Sequence, residues 1–224
     1  MPQYTLYRAN GSCSFAVNNL LRELSIPFDA VLMKLGPDGY AAADGTMTNA
    51  QYRSIHHAGQ VPALKIDDEV LTEVPAILTY LASLAPPERN LLGSDGLSRA
   101  RVVEWTNWIS GFLHGYAVAM YWRPTRFTDN PDHYPALSAR GALLSHTYYQ
   151  RIDDWFREHD HMVGGADTIA DYYVFVFWRM GMEMGIAMHD KFPNFGRFAR
   201  RMESKPSVLA TFEDEGLAPS FPRE

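Results

Sequence analysis

The sequence predicts an α/β domain followed by an all-helical domain, and three observations predict it. Strand-like and helix-like segments alternate over the first 84 residues, in the order β-α-β, a long loop, then β-β-α. The segment "APPERNLL" carries two adjacent prolines, which cannot continue a helix. Beyond it, apolar residues recur at helical spacing. We therefore expect residues 1–84 to form the α/β domain, 85–97 a linker and 98–224 the helical domain.

Each segment of the first domain has the pattern of one element. "QYTLY" is short, aromatic and β-branched, which is typical of a strand, and the apolar spacing behind it predicts an amphipathic helix. "FDAVLM" predicts a buried strand, and residues 36–59 predict a loop with one short irregular helix. "VPALKI" and "EVLTE" predict two strands joined at Asp67 and Asp68, and a last helix follows. Counted with the short helix, the expected order is βαβαββα.

The second domain begins with a long helix whose apolar residues step by three and four. They are Val102, Trp105, Ile109, Phe112 and Tyr116. Asn107, Gly111 and His114 lie on the opposite face, which could be surface, line a cleft or meet another subunit. Further on, "TIADYYVFVFWRM" is apolar on almost every side and predicts a buried helix. Thr168 and Asp171 have the spacing of a capping box at its start.

Composition excludes several classes of protein. The net charge of -6 gives no electrostatic reason to expect nucleic acid or an anionic membrane as partner. A single cysteine cannot form an intramolecular disulfide, which favours a reducing compartment. No apolar run reaches the roughly 18 residues that a membrane span needs, and "MPQYTLYRAN" lacks the pattern of a signal peptide. We expect a cytoplasmic protein with no metal.

That single cysteine, Cys13, lies in "GSCS" directly before the first helix. A thiol in the first turn of a helix feels the positive end of the dipole, which lowers its pKa. The alternative is a small buried core residue, the commonest fate of a free cysteine. The sequence has no C-x-x-C, so a dithiol oxidoreductase is not expected. Ser12 or Ser14 could cap the helix, and Ser12 could instead face the sulfur of a ligand.

Two proline motifs add to this picture. In "GQVPAL", a proline opening a short strand predicts a special turn, and we expect the Val61–Pro62 bond to be cis, with an ordinary turn proline as the alternative. In "LTEVPAIL", Pro75 fits the first turn of a helix, whose N-terminus suits a carboxylate. Glu73 next to it could hold an ammonium group, or it could be a solvated charge near the helix cap. Together they describe a site for the α-amino acid end of a ligand.

These segments together resemble a cytosolic glutathione S-transferase over nearly the whole chain. The closest likeness is to the beta class, with its strand followed by "GxCS", its "GQVPAL" and a helix of the form "EWTNWISGFLH". The resemblance implies a thioredoxin-like first domain that binds glutathione and a helical second domain that binds a hydrophobic electrophile. It also implies a homodimer and a role in detoxification.

The resemblance assigns roles residue by residue. Ser12, Cys13 and His114 match catalytic positions. The glutathione-binding positions add Gln60, Val61, Pro62, Glu73, Val74 and Asn107. The aromatic residues Tyr116, Tyr121 and Trp122 could wall the electrophile pocket or belong to the core. Val74 departs from the family, since many members have a serine there that bonds the γ-glutamyl carboxylate.

The implied activity is transfer of an alkyl or aryl group to glutathione. In that reaction the first helix and a donor from Ser12 or Cys13 would stabilise the glutathione thiolate. Two alternatives remain at this stage. One is a glutathione-dependent isomerase, reductase or dehalogenase on the same fold. The other is a non-catalytic member that only binds ligands.

Overall fold

The structure is a computed structural model, and it describes residues 2–221. The chain forms two compact units. One contains the residues up to Pro87 together with those from Met202 onward, and the other is Glu88–Arg201. The division between them falls inside the predicted linker. Residues 202–221, which we expected in the helical domain, group with the first unit because the last helix of the chain packs against the first.

The first unit is built on one sheet of five strands in the order β3-β2-β1-β4-β5. The central strand β1 (Tyr4–Arg8) runs parallel to β2 (Asp29–Gly36) and antiparallel to β4 (Ala63–Ile66). The edge strands β3 (Gly39–Ala42) and β5 (Glu69–Thr72) pair antiparallel with β2 and β4. A parallel β1–β2 pair needs a crossover helix, so the chain must leave the carboxyl end of β1 in a turn. The order of strands and helices, together with the mixed parallel and antiparallel sheet, confirms the predicted α/β class of this unit.

Three helices are interspersed with these strands: α1 (Ser14–Glu23), α2 (Asn49–Tyr52) and α3 (Val74–Ser83). The crossover helix α1 buries most of its length, as its apolar spacing predicts. A fourth helix, α10 (Pro206–Asp214), packs along α1 from the C-terminal end of the chain. The rings of Phe15 and Phe212 meet edge to face at 5.1 Å in this contact.

Residues 36–59 contain a strand where we expected only a loop and a short helix. β3 forms a two-residue hairpin with β2 in which Gly36 pairs with Gly39. Gly39 has φ 116°, and a Cβ atom there would lie 2.5 Å from Nδ2 of Asn49. Only glycine fits such a turn. The run "GPDG", with Pro37 and Asp38 in the loop, is a turn signal between two strands, so the loop prediction was wrong at this strand.

β2 is not the buried strand that its apolar run predicts. Only Met33 is buried in it, while Leu32 and Leu35 are 41% and 43% exposed. β2 pairs with β1 over residues 29–32 and with β3 over residues 33–36. Its second half therefore projects beyond the central strand as a two-stranded ribbon, which has less of the sheet to cover it.

The second unit is helical. Its elements are α4 (Gly96–Trp108), a π-helical segment (Ile109–Val118), α5 (Ala119–Trp122), α6 (Tyr134–Glu158), α7 (Ile169–Glu183), α8 (Met188–Lys191) and α9 (Pro193–Glu203). Single 3₁₀ turns lie at Pro87–Arg89, Pro124–Arg126 and Pro131–His133. Every residue of α7 up to Trp178 is buried, which confirms the predicted buried helix. Across residues 2–221, no helix is long and apolar enough to cross a membrane.

For the first long helix of this unit, the sequence predicts a buried face with residues spaced by three and four. The prediction is correct up to Ile109 and wrong after it. Phe112 and Tyr116 are 56% and 44% exposed, whereas Leu113 and Ala117 are buried. The change begins where the π-helical segment begins. Hydrogen bonds from residue i to i+5 place more residues in each turn than an α-helix has, so the buried stripe moves to every fourth residue.

Candidate active site in the first unit

The turn between β1 and α1 is held by its own hydrogen bonds. The Ala9 carbonyl oxygen accepts the Ser12 N–H at 3.1 Å and the Ser14 hydroxyl at 3.1 Å. The Ala9 N–H donates to Ser14 Oγ at 3.2 Å. Gly11 has φ 71°, the left-handed conformation that lets the chain reverse. The turn therefore fixes the backbone of Ser12 before the helix starts.

Cys13 holds the N-cap position of this helix without a side-chain capping bond, and Ser12 bonds the first helical residue. Its Oγ accepts the Ser14 N–H at 3.2 Å and lies 2.7 Å from Ser14 Oγ. Ser14 is completely buried, while Ser12 is partly exposed. Of the two serines, Ser12 is therefore the one whose hydroxyl can reach a ligand. Neither serine is the N-cap, because Ser14 is the first residue of the helix and Ser12 lies before Cys13.

Cys13 is 5% exposed, and its thiol donates to the Val61 carbonyl oxygen at 3.5 Å. The thiol thus points toward the proline motif of the neighbouring loop. The Val61–Pro62 bond is cis, which confirms the expectation from "GQVPAL". Ser12 and Cys13 at the start of α1 and Val61 beside β4 therefore form one constellation, although they are far apart in the sequence.

Gln60 is anchored from behind by an aromatic layer. The Tyr52 hydroxyl donates to the Gln60 carbonyl oxygen at 2.6 Å. Tyr52 is completely buried, and burial raises the pKa of its hydroxyl, with smaller contributions from Tyr7 and Tyr40. The phenol therefore stays protonated and keeps donating. This anchor holds the loop before the cis bond in a fixed position.

Glu73 has an unusual backbone. Its φ is 68°, which a residue with a side chain rarely adopts, and it directly precedes α3. Its side chain is exposed, whereas Val74 is 4% exposed. Such left-handed residues cluster at ligand sites. The geometry presents the Glu73 carboxylate outward at a helix N-terminus, as the sequence motif predicts.

His56 is a neighbour of this site that the sequence analysis did not single out. It is 4% exposed, and its ring lies 5.2 Å from that of His57. Burial lowers the pKa of His56, His57 lowers it further, and Glu73 acts in the opposite direction. His56 is therefore neutral near pH 7, and its Nδ1 accepts the Ala58 N–H at 3.2 Å. The pair "HH" in the loop before "GQVPAL" was the available signal.

A second missed group braces the turn from the end of α10. Glu215 is 1% exposed; its carboxylate accepts the Gly11 N–H at 2.7 Å and the Asn18 side-chain amide at 3.0 Å. Asp214 beside it accepts Asn18 and forms ion pairs with Arg8 and Arg22, each at 3.0 Å. Burial alone would raise the pKa of Asp214, but Asn18 and the two arginines outweigh it and lower the pKa. The turn that carries Ser12 and Cys13 thus rests on the C-terminal segment.

Two predicted glutathione-binding residues, Asn107 and His114, belong to the second unit. Asn107 is exposed. His114 is partly exposed, and its ring meets that of Phe177 edge to face at 5.5 Å. Burial, with a smaller contribution from Arg126, lowers the pKa of His114 to about 4. The imidazole is therefore neutral near pH 7 and can offer a hydrogen bond but no charge.

The three aromatic residues predicted for the electrophile pocket differ in their surroundings. The Tyr121 hydroxyl donates to the Met184 carbonyl oxygen at 3.3 Å, so its ring is tethered. Tyr116 is 44% exposed and meets Phe127 edge to face, and Trp122 is 38% exposed. Core packing therefore does not account for Tyr116 or Trp122.

One cluster of possible metal ligands lies at the start of α7. Single atoms of His161, Asp167 and Asp171 all lie within 4.8 Å of one another. Arg201 Nη1 lies 2.6 Å from Asp167 Oδ1, and it already supplies a positive charge. The Asp171 carboxylate accepts the N–H groups of Thr168 and Met162, at 2.8 and 2.9 Å. These bonds account for the cluster as part of the capping structure.

Two family models match the chain. Residues 11–84 match the glutathione S-transferase N-terminal domain, and residues 129–206 match the glutathione S-transferase C-terminal domain. Glutathione S-transferase GstA of Escherichia coli O157:H7 is 30% identical over 213 residues, which cover 95% of this chain and 98% of that protein. The chain belongs to the glutathione S-transferase family.

Solved structures agree with this assignment. A beta-class glutathione S-transferase of Sphingomonas chungbukensis is 27% identical, with a TM-score of 0.82 over 96% of this chain and 100% of that one. A sphingomonad glutathione S-transferase solved as a complex with glutathione is 28% identical, with a TM-score of 0.80 over the same shares. The expected resemblance to the family and to bacterial beta-class structures is therefore confirmed, together with the thioredoxin-like fold.

Proposed function

We propose that this glutathione S-transferase binds glutathione in its first unit and transfers it to a hydrophobic electrophile. The observation that supports this best is the constellation of Ser12, Cys13 and Val61. It brings a partly exposed hydroxyl and a thiol to the start of a helix, beside a loop with a cis proline. These are the groups that the reaction needs around a sulfur anion.

Ser12 and α1 would supply the catalytic effect. A hydroxyl donor and the positive end of a helix dipole favour the charged form of a nearby thiol, so they lower its pKa. The resulting thiolate is the stronger nucleophile at neutral pH. Cys13, next to Ser12, could share this role. In the structure, its buried thiol donates to the Val61 carbonyl oxygen.

The remaining groups of the first unit would hold the tripeptide. The backbone of Val61, between Gln60 and Pro62, would pair with the cysteinyl part. Glu73, exposed and in the left-handed conformation, would bind the γ-glutamyl ammonium group, and the start of α3 at Val74 would receive its carboxylate. Binding both ends fixes the thiol in position for attack.

The second unit would hold the electrophile. Tyr116 and Trp122 are exposed aromatic rings that can stack on an apolar compound, with Tyr121 as a tethered neighbour. Asn107 and His114 would bond glutathione as neutral donors or acceptors, because the lowered pKa of His114 leaves it uncharged. As the family resemblance implies, we also propose that the protein is a homodimer. We further propose a cytoplasmic enzyme of detoxification.

Ultraviolet titration of the bound thiol tests the activity. In the binary complex with glutathione, thiolate absorbance should appear near neutral pH, about two units below the pKa of the free thiol. With 1-chloro-2,4-dinitrobenzene, the conjugate should accumulate and be identified by mass spectrometry. A protein that binds glutathione without forming thiolate or conjugate would be a ligand-binding member instead. Product analysis with other electrophiles separates conjugation from isomerisation and dehalogenation.

A further inference from the structure

The hydroxyl of Ser14 has one proton and three polar neighbours. It donates to the Ala9 carbonyl oxygen at 3.1 Å and accepts the Ala9 N–H at 3.2 Å. Its third neighbour, at 2.7 Å, is the hydroxyl of Ser12. Because the Ser14 proton is directed to Ala9 in this arrangement, the proton between the two serines must come from Ser12. In this state Ser12 has no proton left to offer a ligand.

A second arrangement of the same atoms releases the Ser12 proton. If the Ser14 hydroxyl rotates and donates to Ser12 Oγ, Ser12 can donate outward. The Ala9 carbonyl oxygen is not left unpaired, because it keeps the Ser12 N–H at 3.1 Å. Ser14 Oγ keeps the Ala9 N–H, and Ser12 Oγ keeps the Ser14 N–H at 3.2 Å. The rotation therefore leaves every buried backbone group of the turn paired.

Which of the two arrangements is more stable depends on whether an anion lies beside Ser12. With no anion present, the first makes one more hydrogen bond within the protein. With an anion beside Ser12, the second makes a charge-assisted bond in its place, which is stronger. Ser14 is fully buried and Ser12 partly exposed, so Ser12 alone faces outward. In a chain of hydroxyls each bond also polarises the next.

We propose that Ser14 is a positioning residue that acts through Ser12. When the glutathione thiolate forms, the Ser14 hydroxyl turns from Ala9 to Ser12, and the Ser12 hydroxyl then donates to the sulfur. Only two hydroxyl groups rotate, and no covalent bond changes. The inference rests on the proposed function, since it needs a thiolate beside Ser12. It explains the use of two hydroxyls, one of them inaccessible, at a single helix start.

A double-mutant cycle tests the relay, using Ser12→Ala, Ser14→Ala and the double variant. The measurement is the pKa of the bound glutathione thiol, from thiolate absorbance against pH, together with the pH profile of kcat/KM. Ser14→Ala should raise the thiol pKa by about one unit, because the bond from Ser14 that polarises the Ser12 hydroxyl in the thiolate state is lost. A fall in the thiol pKa would contradict the relay, since it would mean that Ser14 only holds the Ser12 proton away from the sulfur. In the Ser12→Ala background, Ser14→Ala should leave the pKa unchanged. KM for glutathione should change less than about threefold, because the relay acts on the charged sulfur.

Controls separate this effect from damage to the turn. Ser83→Ala removes an exposed serine hydroxyl from the same unit and should change neither pKa nor turnover. Ser14→Thr keeps a hydroxyl and should restore the wild-type pKa. Ser14→Cys is nearly isosteric and a weak donor, so it should give an intermediate shift and can replace the alanine in the cycle if that variant does not fold.

Three other results would overturn the relay. An equal shift from Ser14→Ala with and without Ser12 means that Ser14 acts through the fold of the turn. No shift from Ser14→Ala beside a shift from Ser12→Ala means that Ser12 needs no partner. No shift from Ser12→Ala means that another group, such as Cys13, faces the sulfur. Failure of the proposed function looks different, because the wild-type complex itself would then form no thiolate.

Discussion

The starts of α1 and α7 use related chemistry in opposite ways. Near each helix start, a hydroxyl residue bonds a polar side chain two or three positions on: Ser12 with Ser14, and Thr168 with Asp171. At α7 the carboxylate is completely buried and accepts two N–H groups and the Thr168 hydroxyl. At α1 the pair is neutral, and one member is partly exposed.

This difference shows what allows the residues at a helix start to bind a ligand. A cap that uses every donor and acceptor stabilises the helix and has nothing left for a ligand. A neutral pair with two possible proton arrangements stabilises less and keeps one donor available. On this view, α7 contributes to folding and α1 to chemistry, and each can be tested by removing one side chain.

The largest effect is expected from Asp171→Ala. The change leaves the N–H groups of Thr168 and Met162 buried without their acceptor, and it should lower the free energy of unfolding by about 3 kcal/mol. Urea unfolding followed by circular dichroism measures it. Asp95→Ala is the matched control, because the capping box at α4 is exposed and its loss should lower the free energy of unfolding much less. Equal losses in the two variants would contradict the assignment of α7 to stability.

Ser12→Ala should show the reverse pattern. It removes one partly exposed hydroxyl that accepts the Ser14 N–H, so the free energy of unfolding should fall by about 1 kcal/mol or less. It also removes a donor to a charged sulfur, so kcat/KM should fall about 10- to 100-fold. Steady-state kinetics and urea unfolding on the same preparation measure both. If Cys13→Ala instead gives the large kinetic loss and Ser12→Ala a small one, the thiol is the catalytic donor.

These two helix starts also show which features can be predicted from the amino-acid sequence and which cannot. The capping box at Thr168 was predictable because it depends on residues within a few positions, whereas the cis bond at Pro62 was predicted from the place of "QVPAL" in a thioredoxin-like domain. The pairing of Ser12 with Ser14 was not, because both serines were equally good caps and only the fold of the turn distinguishes them. The family motifs gave the candidate residues, while the structure gave their hydrogen bonds.

Other features depend on distant contacts. Glu215 meets Gly11 across 204 positions, and no local pattern predicts that bond. The change of buried face after Ile109 depends on backbone bonds whose period differs from that of an α-helix. The exposed second half of β2 follows from the length of its neighbour, not from its own apolar run.

The brace from Glu215 makes α1 depend on a remote segment in a way that α7 does not. Glu215→Gln keeps the shape but can accept at only one of its two side-chain termini. It should lower the free energy of unfolding by about 1–2 kcal/mol and raise KM for glutathione, because the Gly11 turn loosens. Glu213→Gln is the control, since Glu213 is exposed on the same helix. If Glu215→Gln lowers stability but leaves KM unchanged, Glu215 contributes to folding and not to glutathione binding.

The smallest expected effect is a difference in pH dependence between the two caps. Burial raises the pKa of Asp171 to about 6, against the pull of its bonds from Thr168 and Met162. Its raised pKa means that the folded state binds this proton more tightly than the unfolded state, so stability falls as pH rises toward 6 and beyond. Between about pH 5 and 7 the loss should be roughly 1 kcal/mol. His161 and Arg201 face the same carboxylate, so other groups also affect how the stability of the wild type depends on pH. The unfolding free energy of the wild type is therefore compared with that of a variant at each pH.

Asp171→Asn removes that titration while keeping the shape of the side chain. The difference in unfolding free energy between wild type and Asp171→Asn should therefore shrink as pH rises from about 5 to 7. For Asp95→Asn the difference should stay constant over that range, because hydrogen bonds from Ser98 lower the pKa of Asp95 and it stays ionised. Ser12→Ala should likewise give a constant difference, since the pair at α1 carries no charge. A constant difference for Asp171→Asn would mean that the carboxylate is ionised throughout, and that the two helix starts differ in burial but not in how they respond to protons.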